Sequence, residues 1–321
     1  MMHASRIETQ VSIVTMGQVQ TRMSPRGLTE TQPMRMASWQ WGGRDHVGTV
    51  SADGREATPL AVADASRGVL PLIQALARGE VLPSPSGARL PVEVIALRAP
   101  LPRPLRSLFC VGRNYRAHAA ELAGTVFRQG VPSDDAWPIV FGKLPECVIG
   151  PRDVVQLPSP SVSVQIDYES ELAVVIGRGG RDISRSRAMD HVFGYTIVND
   201  VTARDVQMRH QQWDLGKSFD TFCPMGPWIV SADELDGRAT RVRGWVNGAL
   251  RQDGLTKDMI HDIPSLIETC SRGITLYPGD VIATGTPAGV GMGLTPPQWL
   301  KAGDIVRIEI DGIGVIENRF G

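Results

Sequence analysis

Three acidic residues in two short segments have the spacing and surroundings of a cation site. In IDYESELAVVIG (166–177), strand side chains alternate between faces. Asp167, Glu169 and Glu171 therefore share one side with Ala173 and Val175, and Tyr168, Leu172, Val174 and Ile176 share the other. Both faces turn apolar, so the strand runs into the core, where neighbouring carboxylates repel each other and lose hydration unless a cation cancels them. Carboxylate oxygens suit Mg²⁺, Mn²⁺ or Ca²⁺, and Mg²⁺ keeps waters that a substrate can displace. A second apolar strand, FGYTIVND (193–200), ends in Asp200, a natural third ligand. Ordinary roles fit too: solvated acids on an exposed edge strand, and an N-cap aspartate opening the next helix.

Three further segments could carry chemistry. In VGRNYRAHAAELAG (111–124), His118 and Glu121 lie three apart, on one face of a helical turn. A glutamate beside an imidazole orients it and raises its basicity, as a water-activating base requires. In LGKSFDTFCPMGPWIV (215–230), a partly buried Lys217 could bind an anion or stabilise a developing enolate. In TLYPGDVIATGTPAGVGMG (275–293), the Thr286 hydroxyl and the loop amides could cradle a carboxylate. A surface helix pair, a snorkelling lysine and a flexible turn are the plain alternatives.

The elements that must hold these residues are mostly strands. Between Leu108 and Phe320 the apolar runs are short, rich in Val and Ile, and bounded by Gly, Pro or Asp. That pattern predicts a rolled or sandwich-like β architecture with few helices rather than alternating βαβ units. Residues 37–99 read as a separate small unit: a strand, a turn at Asp53-Gly54, a second strand, and a short helix in VLPLIQALARGE stopped by Gly79. The Pro-rich stretch 96–107 reads as a linker. Residues 1–35 read as a disordered extension, or an over-long start with the initiator at Met34 or Met36. The polar stretch TVFRQGVPSDDAWP (125–138) reads as a mobile lid. The division is thus 1–35, 36–100 and 106–321.

Bulk properties exclude several classes. A net charge of -1 with no Lys/Arg run gives nucleic-acid binding no electrostatic support. No apolar stretch is long enough to span a bilayer, and the start lacks the apolar core of a secretory signal. The four cysteines are far apart, without a CxxC pair, and read as buried thiols of a cytoplasmic protein. GVGMG (289–293) lacks the Lys-Ser/Thr of a phosphate-binding loop.

Five stretches in one order, CVGRNYRAHAAE, DYESELAVVIG, GYTIVNDVTARDVQ, GKSFDTFCPMGPW and YPGDVIATGTPAGVG, resemble the fumarylacetoacetate hydrolase family over about residues 106–320. The resemblance implies a mixed, β-rich α+β fold with a rolled β-sandwich or barrel-like catalytic domain, a small N-terminal α+β domain and a homodimer. It implies Mg²⁺, with Mn²⁺ or Ca²⁺ as substitutes, held by Glu169, Glu171 and Asp200. It assigns His118 and Glu121 as a dyad, Lys217 as a catalytic lysine, and Arg204, Gln207 and Thr286 as substrate-binding residues. The expected activity is hydrolysis of a C–C bond in an acylpyruvate-like 2-oxo acid, by way of an enolate and a dyad-activated water. Decarboxylation or isomerisation of 2-oxo or 2-hydroxydienoate acids, or a ureidoglycolate-type lyase, would use the same site. A cation-binding scaffold without activity is the rival of a different class.

Overall fold

The computed structural model describes residues 34–123, 132–133, 136–209 and 212–321. The extension read at 1–35 lies outside the described residues except for Met34 and Arg35, and so does most of the lid read at 125–138. One large mixed sheet dominates. Its strands run in the order Leu90–Pro91, Glu56–Pro59, Arg44–Val50, Arg35–Trp41, Cys223–Ser231, Val192–Asn199, Ser170–Ile176, Val281–Ala283, Leu108–Gly112, Ile139–Lys143. Ala96–Arg98 adds to Arg35–Trp41, and Val148–Ile149 adds to Cys223–Ser231. A second, antiparallel sheet orders Ala249–Leu255, Arg241–Val246, Ile305–Ile310 and Gly314–Arg319. The β-rich sandwich expected from the sequence is what forms; the large sheet is an open path with two edges, not a closed barrel.

The alternation read in IDYESELAVVIG is realised in the packing. Leu172, Val174 and Ile176 enter one core with Ile197, Val242, Ile308 and Ile316, between the two sheets. Ala173 and Val175 enter a second core with Val198, Ile229 and the helix Leu70–Ala77, through Leu70, Leu72 and Ile73. Both faces of the central strands are thus covered, as their continuous Val/Ile runs require. No helix among the described residues is long and apolar enough to cross a membrane. All four cysteines are buried free thiols.

Three local readings need correction. The segment 37–60 holds three strands, because Gly42 and Gly43, with φ of 58° and 73°, form a tight turn before the one containing Gly54. Ala96–Arg98, read as linker, is a strand against Ser38–Gln40. Arg35, read as the end of a disordered extension, begins a strand and pairs with both Val50 and Val230. The helix in 69–80 runs Leu70–Ala77 with Gly79 at φ 80°, the left-handed stop the sequence predicts.

Candidate active site

The antiparallel register sets Ser170 opposite Asn199, which carries Asp200 to the position beside Glu169 at the mouth of the strand pair. Asn199 Oδ1 accepts from the Glu169 amide at 3.0 Å, and the Asp200 amide donates to the Glu169 carbonyl at 2.9 Å, fixing both backbones. Glu169, Glu171 and Asp200 are all buried, and each offers an oxygen within 4.8 Å of the others. Lys217 Nζ lies 2.6 Å from both Glu169 Oε2 and Asp200 Oδ2. Arg204 Nη2 lies 2.7 Å from Glu169 Oε1 and 2.9 Å from Asp167 Oδ2.

These charges set the carboxylates apart. Burial pushes Glu169 up, but Lys217 and Arg204 more than offset it and hold the carboxyl below its usual range. Glu171 Oε2 accepts from the Gly285 amide at 2.9 Å. Burial, reinforced by Asp200 and Glu169, pushes it well above the usual range. Asp200 Oδ1 sits 2.8 Å from Lys143 Nζ, and a carboxylate oxygen held by one ammonium keeps a lone pair for a further ligand. An under-compensated Glu171 and a spare Asp200 lone pair, with one oxygen of each acid within 4.8 Å of the others, fit a divalent cation with oxygen ligands. The three acids read from the sequence therefore converge as a donor set for such an ion.

His118 and Glu121 fall in the helix Arg116–Glu121, with His118 Nδ1 3.2 Å from Glu121 Oε2. Glu121 is held in turn by the Gly289 amide, at 2.9 Å from Oε1. The glycine-rich loop does cradle carboxylates, but they are the protein's own. Gly291 and Met292 amides bind Asp167 at 2.7 and 3.0 Å, and Gly285 binds Glu171. Thr286 Oγ1 is likewise engaged, donating to the Ser170 carbonyl at 3.0 Å and accepting from Gln252 Nε2 at 2.7 Å. Gln207 Oε1 accepts from Arg204 Nη1 at 3.2 Å.

A narrow cleft opens onto this arrangement. Its lining includes His118, Glu169, Glu171, Arg204, Gln207, Lys217 and Thr286; Glu121 and Asp200 stand behind it. Two helices of four residues, Arg204–Gln207 and Asp214–Lys217, bring Arg204 and Lys217 to the wall. Their close approach depends on Gly216, where a Cβ would lie 2.5 Å from the Gln207 amide nitrogen. An aromatic pair flanks Lys217: Nζ is 4.9 Å from the Phe141 centroid, and Phe141 meets Trp213 edge-on at 5.3 Å.

Sequence reasoning missed Lys143, Arg113, Trp213 and the role of Asp167. Lys143 is fully buried and donates to the carbonyls of Val201, at 3.0 Å, and of Lys217. Burial pulls its pKa down, but Asp200 more than reverses this, so the ammonium stays charged. Asp167, read on the acid face, binds Arg204 and the loop amides instead of joining the three-acid cluster.

The fumarylacetoacetate (FAA) hydrolase C-terminal profile matches residues 107–321. Oxaloacetate tautomerase YisK of Bacillus subtilis (strain 168) is 50% identical over 228 residues, 71% of this chain and 73% of that protein. The human oxaloacetate tautomerase FAHD2A, named as mitochondrial, is 45% identical over 233 residues, covering 72% of this chain and 71% of that one. Among solved structures, a fumarylacetoacetate hydrolase from psychrophilic Exiguobacterium antarcticum superposes with a TM-score of 0.76 at 38% identity, over 89% of this chain and 99% of that one. A 2-hydroxyhepta-2,4-diene-1,7-dioate isomerase from Mycobacterium marinum gives 0.71 at 32% identity, over 89% and 98%. By sequence and by structure, the chain belongs to the fumarylacetoacetate hydrolase family.

Proposed function

We propose that this protein is a Mg²⁺-dependent keto–enol tautomerase of a small 2-oxo acid, with oxaloacetate as the reference substrate. The observation that supports it most is a set of three converged carboxylates, two of which line one cleft with an oriented imidazole and a buried ammonium. The names of relatives at 45–50% identity point to tautomerisation rather than hydrolysis, and a structural neighbour is named as an isomerase. Isomerisation, the alternative raised from the sequence, is therefore preferred over C–C hydrolysis.

A divalent ion at Glu169, Glu171 and Asp200 would supply Lewis acidity, polarising the 2-oxo group and making the neighbouring C–H more acidic. The chain's own groups then move the proton. Glu121 holds His118 through Nδ1, which leaves Nε2 to take a proton from C3 of the keto form. The C–H electron pair becomes the C2–C3 double bond, and negative charge gathers on the former keto oxygen. Lys217, buried beside the cleft, stabilises that charge until a solvent proton completes the enol, while His118 gives up the C3 proton to solvent. No water is consumed and no C–C bond breaks. In the reverse direction the same groups return the proton to C3.

The test follows the ultraviolet decay of enol-oxaloacetate and C3–H exchange in D₂O by NMR, with Mg²⁺ present. We expect catalysed exchange, reduced about 10²- to 10⁴-fold in His118→Ala. Release of an acyl fragment or CO₂ in step with turnover, without catalysed exchange, would return the assignment to hydrolase or decarboxylase.

A further inference from the structure

The loop 284–289 serves both halves of the site at once. Its Gly285 amide donates to Glu171 Oε2 at 2.9 Å, and its Gly289 amide donates to Glu121 Oε1 at 2.9 Å and to Oε2 at 3.2 Å. One short segment thus holds a candidate metal ligand and the partner of His118. Whatever sets the loop sets both.

The loop lies against Ala249–Leu255, an edge strand of the four-stranded sheet. Two of the contacts leave no room for a side chain. A Cβ at Gly289, where φ is 106°, would lie 1.8 Å from the Arg251 carbonyl oxygen, and a Cβ at Gly254 would lie 2.6 Å from Pro287 Cβ. Between these contacts stands Gln252, with no exposed surface although the neighbouring Asp253 is exposed. Its Oε1 accepts from the Ser170 amide at 3.0 Å. Its Nε2 donates to Thr286 Oγ1 and to the Pro287 carbonyl, both at 2.7 Å. Thr286 Oγ1 closes the circuit by donating to the Ser170 carbonyl at 3.0 Å. Ser170 separates Glu169 from Glu171, so one side chain from the second sheet clasps the acid-bearing strand to the loop. Gly244, paired with Gln252, makes the space for this: a Cβ there would lie 2.3 Å from Ser170 Oγ and 3.2 Å from Gln252 Oε1.

Filling the gap between two sheets needs only an apolar side chain. Three directed hydrogen bonds do more, because they fix the loop against the strand and with it the aim of the Gly285 and Gly289 amides. We propose that Gln252 is a positioning residue of the active site, which aligns Glu171 and Glu121 with each other through the loop 284–289. Its kinetic consequence rests on the tautomerase reading; its consequence for cation binding does not.

The experiment compares Gln252→Met, which keeps the side-chain length and removes the three hydrogen bonds, with Ile316→Ala. The second variant loosens the core between the sheets and reports the effect of lost stability alone. Mn²⁺ affinity is read by electron paramagnetic resonance, and kcat is read as C3–H exchange of oxaloacetate in D₂O at saturating Mg²⁺. In Gln252→Met, Mn²⁺ binding is expected to weaken about 10- to 100-fold and kcat to fall about 10- to 100-fold. Both stay near wild type in Ile316→Ala. Since the loss in kcat passes through Glu121, Gln252→Met should cost much less kcat in a Glu121→Gln background than alone. Wild-type values in Gln252→Met, a loss in only one of the two readouts, or losses that multiply fully with those of Glu121→Gln overturn the assignment. If Gln252→Met does not fold, Gln252→Glu carries the kcat comparison, since it keeps an acceptor for Ser170 and sets a second acceptor against the Pro287 carbonyl. If wild type exchanges no oxaloacetate, the tautomerase reading fails, and an unchanged Mn²⁺ affinity in Gln252→Met still overturns the positioning role.

Discussion

Lys143 is fully buried behind the cleft wall, where its ammonium meets Asp200, the Val201 carbonyl and the Lys217 carbonyl. Holding both a candidate metal ligand and the backbone of Lys217, it governs where two other charges point. Lys143→Met should therefore weaken Mn²⁺ binding, followed by electron paramagnetic resonance, by about 10- to 100-fold, as loss of an outer partner of a metal ligand generally does. Removing one half of a buried ion pair should also cost about 3–5 kcal/mol in unfolding free energy, read from a urea melt. Unchanged Mn²⁺ affinity would limit Lys143 to holding the fold. Its absence from the sequence reading has a plain cause. Glu169 and Glu171 announce themselves by strand alternation, and His118 and Glu121 by helical spacing, whereas Lys143 acts on carbonyls 58 and 74 residues away. Nothing in FGKLPE marks it locally. Arg113 was overlooked for a related reason, since a left-handed arginine has no periodicity to betray it.

Short elements, rather than long ones, place the working groups. The helices Arg204–Gln207 and Asp214–Lys217 are each one turn long and owe their position to contact with each other. Gly216 is the point of closest approach. Gly216→Ala should push the turns apart at a cost of roughly 1–3 kcal/mol, and draw Lys217 away from Glu169 and Asp200. The expected readout is a kcat lowered by roughly 10- to 100-fold with a modest drop in Tm; a wild-type kcat would show that Lys217 does not depend on this packing. The strand Ser170–Ile176 was legible because both of its faces are apolar in the period a strand demands, and the two cores receive those faces as read. The turn Gly42-Gly43 was passed over because the Asp53-Gly54 signal downstream is the more familiar one. The glycine-rich loop was read as a place for a ligand carboxylate, while its amides in fact serve Asp167, Glu121 and Glu171. A sequence shows that amides are available, not which carboxylate reaches them first.

The composition of 36–100 suggests a unit standing apart from the catalytic part, but the large sheet runs through both. Met34 donates to Ser231 across 197 residues, at 3.0 Å, and Arg35 and Met36 pair with Val230 and Ile229. Pairing at that distance leaves no trace in local pattern, so a boundary drawn from composition alone could not register it. The attachment is also hydrophobic. Met36, Val47, Leu70 and Ile73 are buried in the same cluster as Ala173, Val175 and Ile229, which means the helix Leu70–Ala77 covers the face of the sheet that carries the acids at its end. Each such side chain contributes about 1.5–3 kcal/mol when buried. Deleting residues 34–98 would strip that face and turn Cys223–Ser231 into an open edge, a template for pairing with another chain. The shortened chain is therefore expected to aggregate, seen as a loss of soluble yield and as polydisperse light scattering, with no Mg²⁺-dependent exchange of oxaloacetate. A soluble, monodisperse fragment with wild-type exchange would show instead that the acid cluster is held by the strands from Leu108 onward alone, and that the N-terminal strands are an addition to a self-sufficient catalytic fold.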